Sequence, residues 1–362
     1  MEDKEIKYLF LYSLPKMTER KIRNLFFYFK DINKIFEADK EELLKVDGMD
    51  EEIFSYLREG IDKETEEKIK IAEKLKVKII SFLDKGYPKN LLRFPDFPPL
   101  LFIRGEIKED DLALAIIGTR KPSEYSKIVG YRLARELSNY GITIVSGLAR
   151  GIDSYAHKGA IENNGRTIAV LGCGVDICYP PENKRLMEEI IEKGAVISEF
   201  NISTPPESYN FPQRNRIIAG LSLGVIAVEA PIASGVLNTC EWAANYGIEV
   251  FACPGPIFKK ENEGTNKLIK DGAHIVTKVE DILEGLSLPL KRKLKEIGIE
   301  IELKEEEKEI LTVMAENPIY IDEISEKLNR PIKEISEILL MLEMKGVVKE
   351  LPGKRYIKIL NY

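Results

Sequence analysis

Apolar residues change their spacing along the chain, and each change marks a different kind of structure. At the start they recur at helical intervals. Two stretches there resemble each other: Leu14-Pro15-Lys16-Met17 before residues 18–29, and Val46-Asp47-Gly48-Met49 before residues 50–57. Each is a short apolar hairpin containing Gly or Pro that opens a helix. This is the pattern of a helix-hairpin-helix pair, in a helical, SAM-like domain over 1–62. Such hairpins can turn backbone N–H groups toward a phosphate. Lys16 stands where the first copy would need glycine, so packing or protein contact is the expected role rather than DNA binding. A connector over 63–111 follows, with a charged helix at 62–76 and a short strand at 77–82. Residues 86–99 are rich in proline, which is excluded from helix interiors, so this stretch is expected to lie extended against the next domain.

From residue 112 the pattern becomes short apolar runs alternating with helical stretches. The predicted strands are 113–117, 143–146, 167–171, 195–198, 225–229, 250–252 and 275–277. Continuous apolar runs separated by helices predict a Rossmann-like, doubly wound, mostly parallel α/β sheet over 112–285. Residues 286–304 read as a linker. The tail, 305–362, predicts a winged helix: helices at 305–316, 321–328 and 331–345, a stop at Gly346, and a hairpin of 347–351 and 356–359 around Pro352-Gly353.

Composition sharpens this picture. With 362 residues, 44% hydrophobic and 31% charged, the chain is globular and long enough for two or three domains. No apolar run approaches the ~20 residues that span a bilayer, and the first residues lack a signal-peptide pattern, so a cytoplasmic location without membrane contact is expected. Four cysteines without a CxxC pair and two histidines, His157 and His274, predict neither a disulfide framework nor a metal site. A net charge of -6 excludes a generally basic coat, so any nucleic-acid site must be a local patch.

In an open parallel sheet ligands bind beyond the carboxyl ends of the strands. Those ends carry Gly118-Thr119-Arg120, then Gly147 to Asp153, then Gly172-Cys173-Gly174, then Phe211-Pro212-Gln213-Arg214-Asn215-Arg216, then Ser234-Gly235. Glycines and small hydroxyl residues at helix starts offer N–H groups to anions. Arg120, Arg150, Arg214 and Arg216 add forked donors for phosphate oxygens. Residues 112–285 hold 18 Lys+Arg against 20 Asp+Glu, so these arginines make a focused positive pocket on a neutral body. The first glycine turn lacks G-x-G-x-x-G, no acidic residue closes the second strand, and there is no Walker A sequence. No NAD, FAD or ATP cofactor is therefore expected. Catalytic groups are sparse. Asp153 and His157 share a helix face, where a capping Asp and a His packed beneath the sheet outweigh an acid/base pair. Cys173 and Cys178 lack a nearby base.

Ser146-Gly147-Leu148-Ala149-Arg150-Gly151-Ile152-Asp153 with His157, residues 167–172, Tyr179-Pro180, Phe211-Pro212 to Gly220, Glu229-Ala230 with Ser234-Gly235, and Pro254-Gly255 together resemble the DNA-processing protein A (DprA/Smf) family. The likeness is dense over roughly 80–285. It implies a non-catalytic protein that binds single-stranded DNA in natural transformation. It also implies that such a protein shields incoming strands and loads a RecA-type recombinase, even past single-strand binding protein, and that it works as a dimer. The family's DNA pocket falls on Gly118, Thr119 and Arg120, on Gly147, Arg150 and Gly151, and on Arg214, Asn215 and Arg216. Relatives often carry lysine directly after Tyr-Pro. Pro181 stands there, which makes Lys184 or Arg185 candidate replacements, with Ser234 a further contact.

The rival class is an enzyme, a nucleoside-monophosphate phosphoribohydrolase resembling the LOG family. The echo of its glycine-rich loop in residues 234–241 has Val236 and Asn238 in place of glycines. Apolar Trp242, Ala243, Leu268 and Ile269 are expected to form much of a homodimer interface. The winged helix, with 10 Lys+Arg and 12 Asp+Glu from 304 on, is expected to contact protein more than DNA.

Overall fold

The computed structural model describes residues 1–286, 305–314, 319–344, 348–351 and 353–358; the predicted linker, 286–304, lies almost wholly outside the described residues. Two compact units emerge, 1–286 and 287–362.

The first unit opens with helices α1 (Asp3–Ser13), α2 (Glu19–Phe29), α3 (Ile32–Glu37), α4 (Lys40–Leu43), α5 (Glu51–Glu59) and α6 (Lys63–Lys74). Thr18, Asp31, Asp39, Asp50 and Asp62 each precede a helix and accept a backbone N–H from its first turn, which is why these short helices start where they do. The strands are β1 (Lys78–Ser81), β2 (Leu100–Gly105), β3 (Ala113–Ile117), β4 (Thr143–Ser146), β5 (Thr167–Val170), β6 (Ala195–Ser198), β7 (Gly224–Ala227), β8 (Glu249–Ala252) and β9 (His274–Ile275). Between them run α7 (Glu124–Asn139), α8 (Ile152–Glu162), α9 (Lys184–Lys193), α10 (Asn210–Leu221), α11 (Gly235–Asn245) and α12 (Glu263–Lys270), and α13 (Val279–Gly285) follows β9.

The nine strands form one sheet in the order β1-β2-β6-β5-β4-β3-β7-β8-β9. From β3 to β9 all pairings are parallel, as expected. The chain winds outward from β3 through β6, then returns to add β7 on the other side of β3. The topological switch point therefore lies between β3 and β7. Residues 100–105, expected to be part of an extended connector, instead form β2, antiparallel to both β6 and β1. Between β1 and β2 the proline-rich stretch holds one short 3-10 turn, Leu91–Arg93.

Alternate side chains of each strand enter different cores. Phe102, Ala169 and Val196 join the N-terminal helices and α9, whereas Leu101, Ile168, Val170 and Ile197 pack with Ile217, Ile218 and Cys240 of α10 and α11. The N-terminal helices thus share a core with the sheet. Every residue of β3 is at most 4% exposed, and each large apolar side chain so buried contributes roughly 1.5–3 kcal/mol.

The second unit is a winged helix with its own core, including Ile310, Leu311, Ile324, Ile335, Leu339, Val348 and Tyr356. Its helices are α14 (Glu305–Val313), α15 (Ile321–Leu328) and α16 (Ile332–Met344). The wing strands β11 (Val348–Leu351) and β12 (Arg355–Lys358) are joined by β10 (Ile319–Tyr320), which the sequence pattern did not predict. No helix among the described residues is long and apolar enough to cross a membrane.

Candidate nucleic-acid interface

A pocket of about 630 Å³ opens at the switch point. Its walls are the segment after β3 (Gly118 to Lys121), Ala149 and Asp153 after β4, Tyr179, the first turns of α10, and Pro231 to Val236 after β7. This is where a doubly wound sheet places its ligand.

The β4–α8 loop is fixed from within. Gly151 has φ +80°, and a Cβ there would strike the carbonyl of Thr119. Asp153 accepts hydrogen bonds from the amides of Gly147 (3.1 Å) and Ala149 (3.4 Å). It therefore binds the loop before its helix rather than capping α8. Burial raises its pKa, opposed by Arg214 and those amides. A Cβ on Gly147 would sit 2.6 Å from the Arg214 guanidinium, so the arginine's position requires this glycine.

Arg214 is buried beneath the pocket. Nη1 donates to the carbonyls of Gly147 (3.0 Å) and Val170, and Nε donates to Asn215 Oδ1 (3.2 Å). Burial lowers its pKa to about 10, which leaves it protonated at neutral pH. Nη2 has no hydrogen-bond partner among the described residues and belongs to a pocket-lining side chain. Asn215 also lines the pocket and spans to Gly235 and Asn238. Ser234 caps α11, accepting from Val236 N at 3.2 Å, and sets that helix's positive end on the pocket wall. Above the floor Arg120 is exposed and lies 5.5 Å from the Phe211 ring, whose other neighbours are Arg214 (5.9 Å) and Tyr179 (5.6 Å).

The structure thus brings Gly118, Thr119, Arg120, Arg214, Asn215 and Ser234 together and leaves other expected contacts outside. Arg216 is a correction. It is buried with both oxygens of Glu199 (2.9 and 2.6 Å), with Glu19 of α2 (3.1 Å) and with Asp96 (3.6 Å), and it does not line the pocket. Arg150 sits beyond the lining and is paired with Glu182. Gly147 and Gly151 shape the loop without reaching the pocket surface. Lys184 and Arg185 start α9 outside the lining, with Arg185 held by Glu189 at 2.9 Å. Asn183 beside them ties this stretch to Leu148 O (2.8 Å) and Ser154 Oγ (2.9 Å). Three lining residues were missed as contacts: Lys121, exposed beside Arg120, and the rings of Tyr179 and Phe211. Their signal was available, since cations interleaved with aromatics mark single-strand binding surfaces.

No acid/base pair forms. His157 is fully buried, donates from Nδ1 to Thr167 Oγ1 at 2.7 Å, and has its pKa pushed down to about 3 by burial and by Arg214. Burial pushes the Cys173 thiol up to about 12 and raises that of Cys178. Among the described residues no group of three His, Cys, Asp or Glu is placed to hold a metal. The stretch echoing the hydrolase loop puts its nearest carboxylate, Glu241, on a different hollow. Of the expected dimer residues, Ala243 is fully buried in the core, so it cannot meet a partner. Trp242, Leu268 and Ile269 remain half-buried.

Residues 78–287 match the family model of DNA recombination-mediator protein A, and residues 299–354 match the DprA winged helix domain. The chain is 40% identical over 281 residues to Protein Smf of Escherichia coli, covering 74% of each. It is 44% identical over 207 residues to DNA processing protein DprA of Streptococcus pneumoniae, covering 56% of this chain and 72% of that one. The solved structure of that Streptococcus pneumoniae protein is similar with a TM-score of 0.68 at 34% identity, over 80% of this chain and 99% of that one. The Helicobacter pylori DNA processing protein A, whose structure is described for its single-stranded DNA binding mode, gives a TM-score of 0.53 at 32% identity, over 58% of this chain and 95% of that one. With a family model spanning more than half its length and relatives this similar, the chain belongs to the DNA recombination-mediator protein A family.

Proposed function

We propose that this recombination mediator binds single-stranded DNA in the switch-point pocket, as a homodimer and without catalysing a reaction. In this reading it shields strands entering during natural transformation and loads a RecA-type recombinase onto them, including strands covered by single-strand binding protein. The observation that carries the binding step is the composition of the pocket. Arg120, Lys121, the free Nη2 of Arg214 and the start of α11 supply positive charge to a phosphate, while Phe211 and Tyr179 supply faces on which bases stack. A sequence-tolerant single-strand site needs both. The buried thiols and the histidine with its depressed pKa supply neither nucleophile nor base.

The test is a gel shift of the full chain with a mixed single strand and its duplex, at two salt concentrations. Tight binding of the single strand, weakening with salt by a log–log slope of roughly 0.7 per phosphate contacted, is expected. Equal affinity for duplex, or release of ribose 5-phosphate from a nucleoside monophosphate, would refute the reading. Recombinase loading is tested by filament assembly on strands coated with single-strand binding protein. It should proceed only when the protein is added.

A further inference from the structure

Beside the pocket lies a second cleft of about 700 Å³, between the first turn of α7 (Ser123 to Ser126) and the loop after β8 (Cys253 to Pro256, with Lys259). One short segment divides the two cavities: Thr119, Arg120 and Lys121 line the pocket, and Ser123 lines the cleft. Tyr125 of the cleft wall is 71% exposed, and between the lining residues Pro256 and Lys259 the loop carries Ile257 and Phe258 outside the lining, 75% and 96% exposed.

Apolar side chains this exposed stand on a built loop. Gly255 exchanges hydrogen bonds with Asn266 (3.1 and 3.0 Å), Lys259 N donates to Pro256 O (3.1 Å) and Asn262 N to Lys259 O (3.0 Å). Lys259 and Lys260 follow Phe258 directly, and neither they nor Lys121 makes an ion pair among the described residues. The carboxylates nearby are Glu124, which lines the cleft and pairs with Lys127, Glu229 and Asp281, which accept from the lining residues Ser123 and Thr277, and Glu261 and Glu263 further along the loop. Two exposed rings, unpaired cations and continuity with the pocket fit one occupant.

We propose that this cleft is a second station for single-stranded nucleic acid, in which a strand leaving the pocket over Lys121 stacks unpaired bases on Phe258 and Tyr125 while Lys259 and Lys260 meet its phosphates. The proposal rests on the single-strand reading of the pocket. Stacking is tolerant of sequence, so this station lengthens the bound segment without selecting bases.

The experiment measures fluorescence anisotropy of full-length wild type and of the Phe258→Ala/Tyr125→Ala double variant. The probes are (dT)4, short enough for the pocket alone, and (dT)20. Both substitutions are at exposed positions, and the mass in solution is checked by light scattering. The expected result is about a ten-fold loss of affinity for (dT)20 with unchanged affinity for (dT)4. Photocrosslinking of 5-iodouracil to Phe258 should occur only from positions beyond the pocket-bound nucleotides. Unchanged (dT)20 affinity overturns the station, as does a fall in oligomer mass, which would make the patch a contact between copies. If wild type binds neither probe, the reading of the pocket itself fails.

Discussion

Arg214 and Arg216 stand two residues apart on α10 and do opposite work. Two helical residues rotate a side chain by about 200°, so the pair points to opposite faces. Arg216 meets Glu199, Glu19 and Asp96, and its charge is consumed where the sheet joins the N-terminal helices. Arg214 is as buried, yet its main acceptors are the neutral carbonyls of Gly147 and Val170. Burial therefore does not separate an arginine committed to an ion-pair network from one that lines the pocket. The partners do: Glu19, Glu199 and Asp96 all lie within ion-pair distance of Arg216, whereas Arg214 is fixed by carbonyls and meets the Asp153 carboxylate of the same pocket only through space.

The largest expected effect is on the structural side. Arg216→Ala leaves Glu199 buried against Glu19 with no counter-charge. It should cost about 3–5 kcal/mol in urea unfolding, the typical loss when one partner of a buried pair is removed. Wild-type stability in this variant would erase the contrast between the two arginines.

Next comes the layer under Arg214. The folded pKa of His157 is about 3, below its unfolded value of about 6.5, so the unfolded chain takes up the proton first. Its contribution is fully present above pH 6.5 and is lost as pH falls toward 3. By pH 5 the loss relative to pH 8 should be about 2 kcal/mol. His157→Gln cannot titrate, so the stability gap between wild type and variant should shrink by that amount across the interval. A constant gap would place His157 in a different environment.

On the binding side, Arg120→Ala should weaken single-strand affinity by roughly ten-fold, about 1.4 kcal/mol. The salt slope should become shallower by about 0.7, with unfolding stability within about 0.5 kcal/mol of wild type. An unchanged slope would show that Arg120 meets no phosphate.

The smallest effect is expected from ending the chain at Leu286. The exposed side of α16 mixes Lys333 with Glu334 and Glu337, and Glu334 is paired with Arg330, so it presents no concentrated positive face to phosphates. Single-strand affinity should stay within a few-fold of full length. A ten-fold loss, matched by binding of the isolated tail, would move part of the interface to the wing.

Much of this architecture was legible in residue order. The runs at 113–117, 143–146 and 195–198 match β3, β4 and β6 because strands buried on both faces must be continuously apolar. β2 was hidden because it follows a proline-rich stretch and pairs antiparallel with β6, a strand that begins 90 residues after it ends. The pocket's edge could be located from the glycines and hydroxyl residues after each strand. Which arginine faces it could not, since a helix's rotation is set by what packs on its two sides.

The sequence by itself determined the parallel sheet, the helix starts, the winged-helix tail and the strand ends where a ligand site would lie. These follow from local periodicity, capping and turn chemistry, which act over a few residues. Only the tertiary structure decided that Arg216 is neutralised by Glu19 and Glu199, that Lys121, Phe211 and Tyr179 share one pocket with Arg120, and that Phe258 stands exposed. Those outcomes depend on which groups far apart in the chain come within a few ångströms, and only the closed core fixes that.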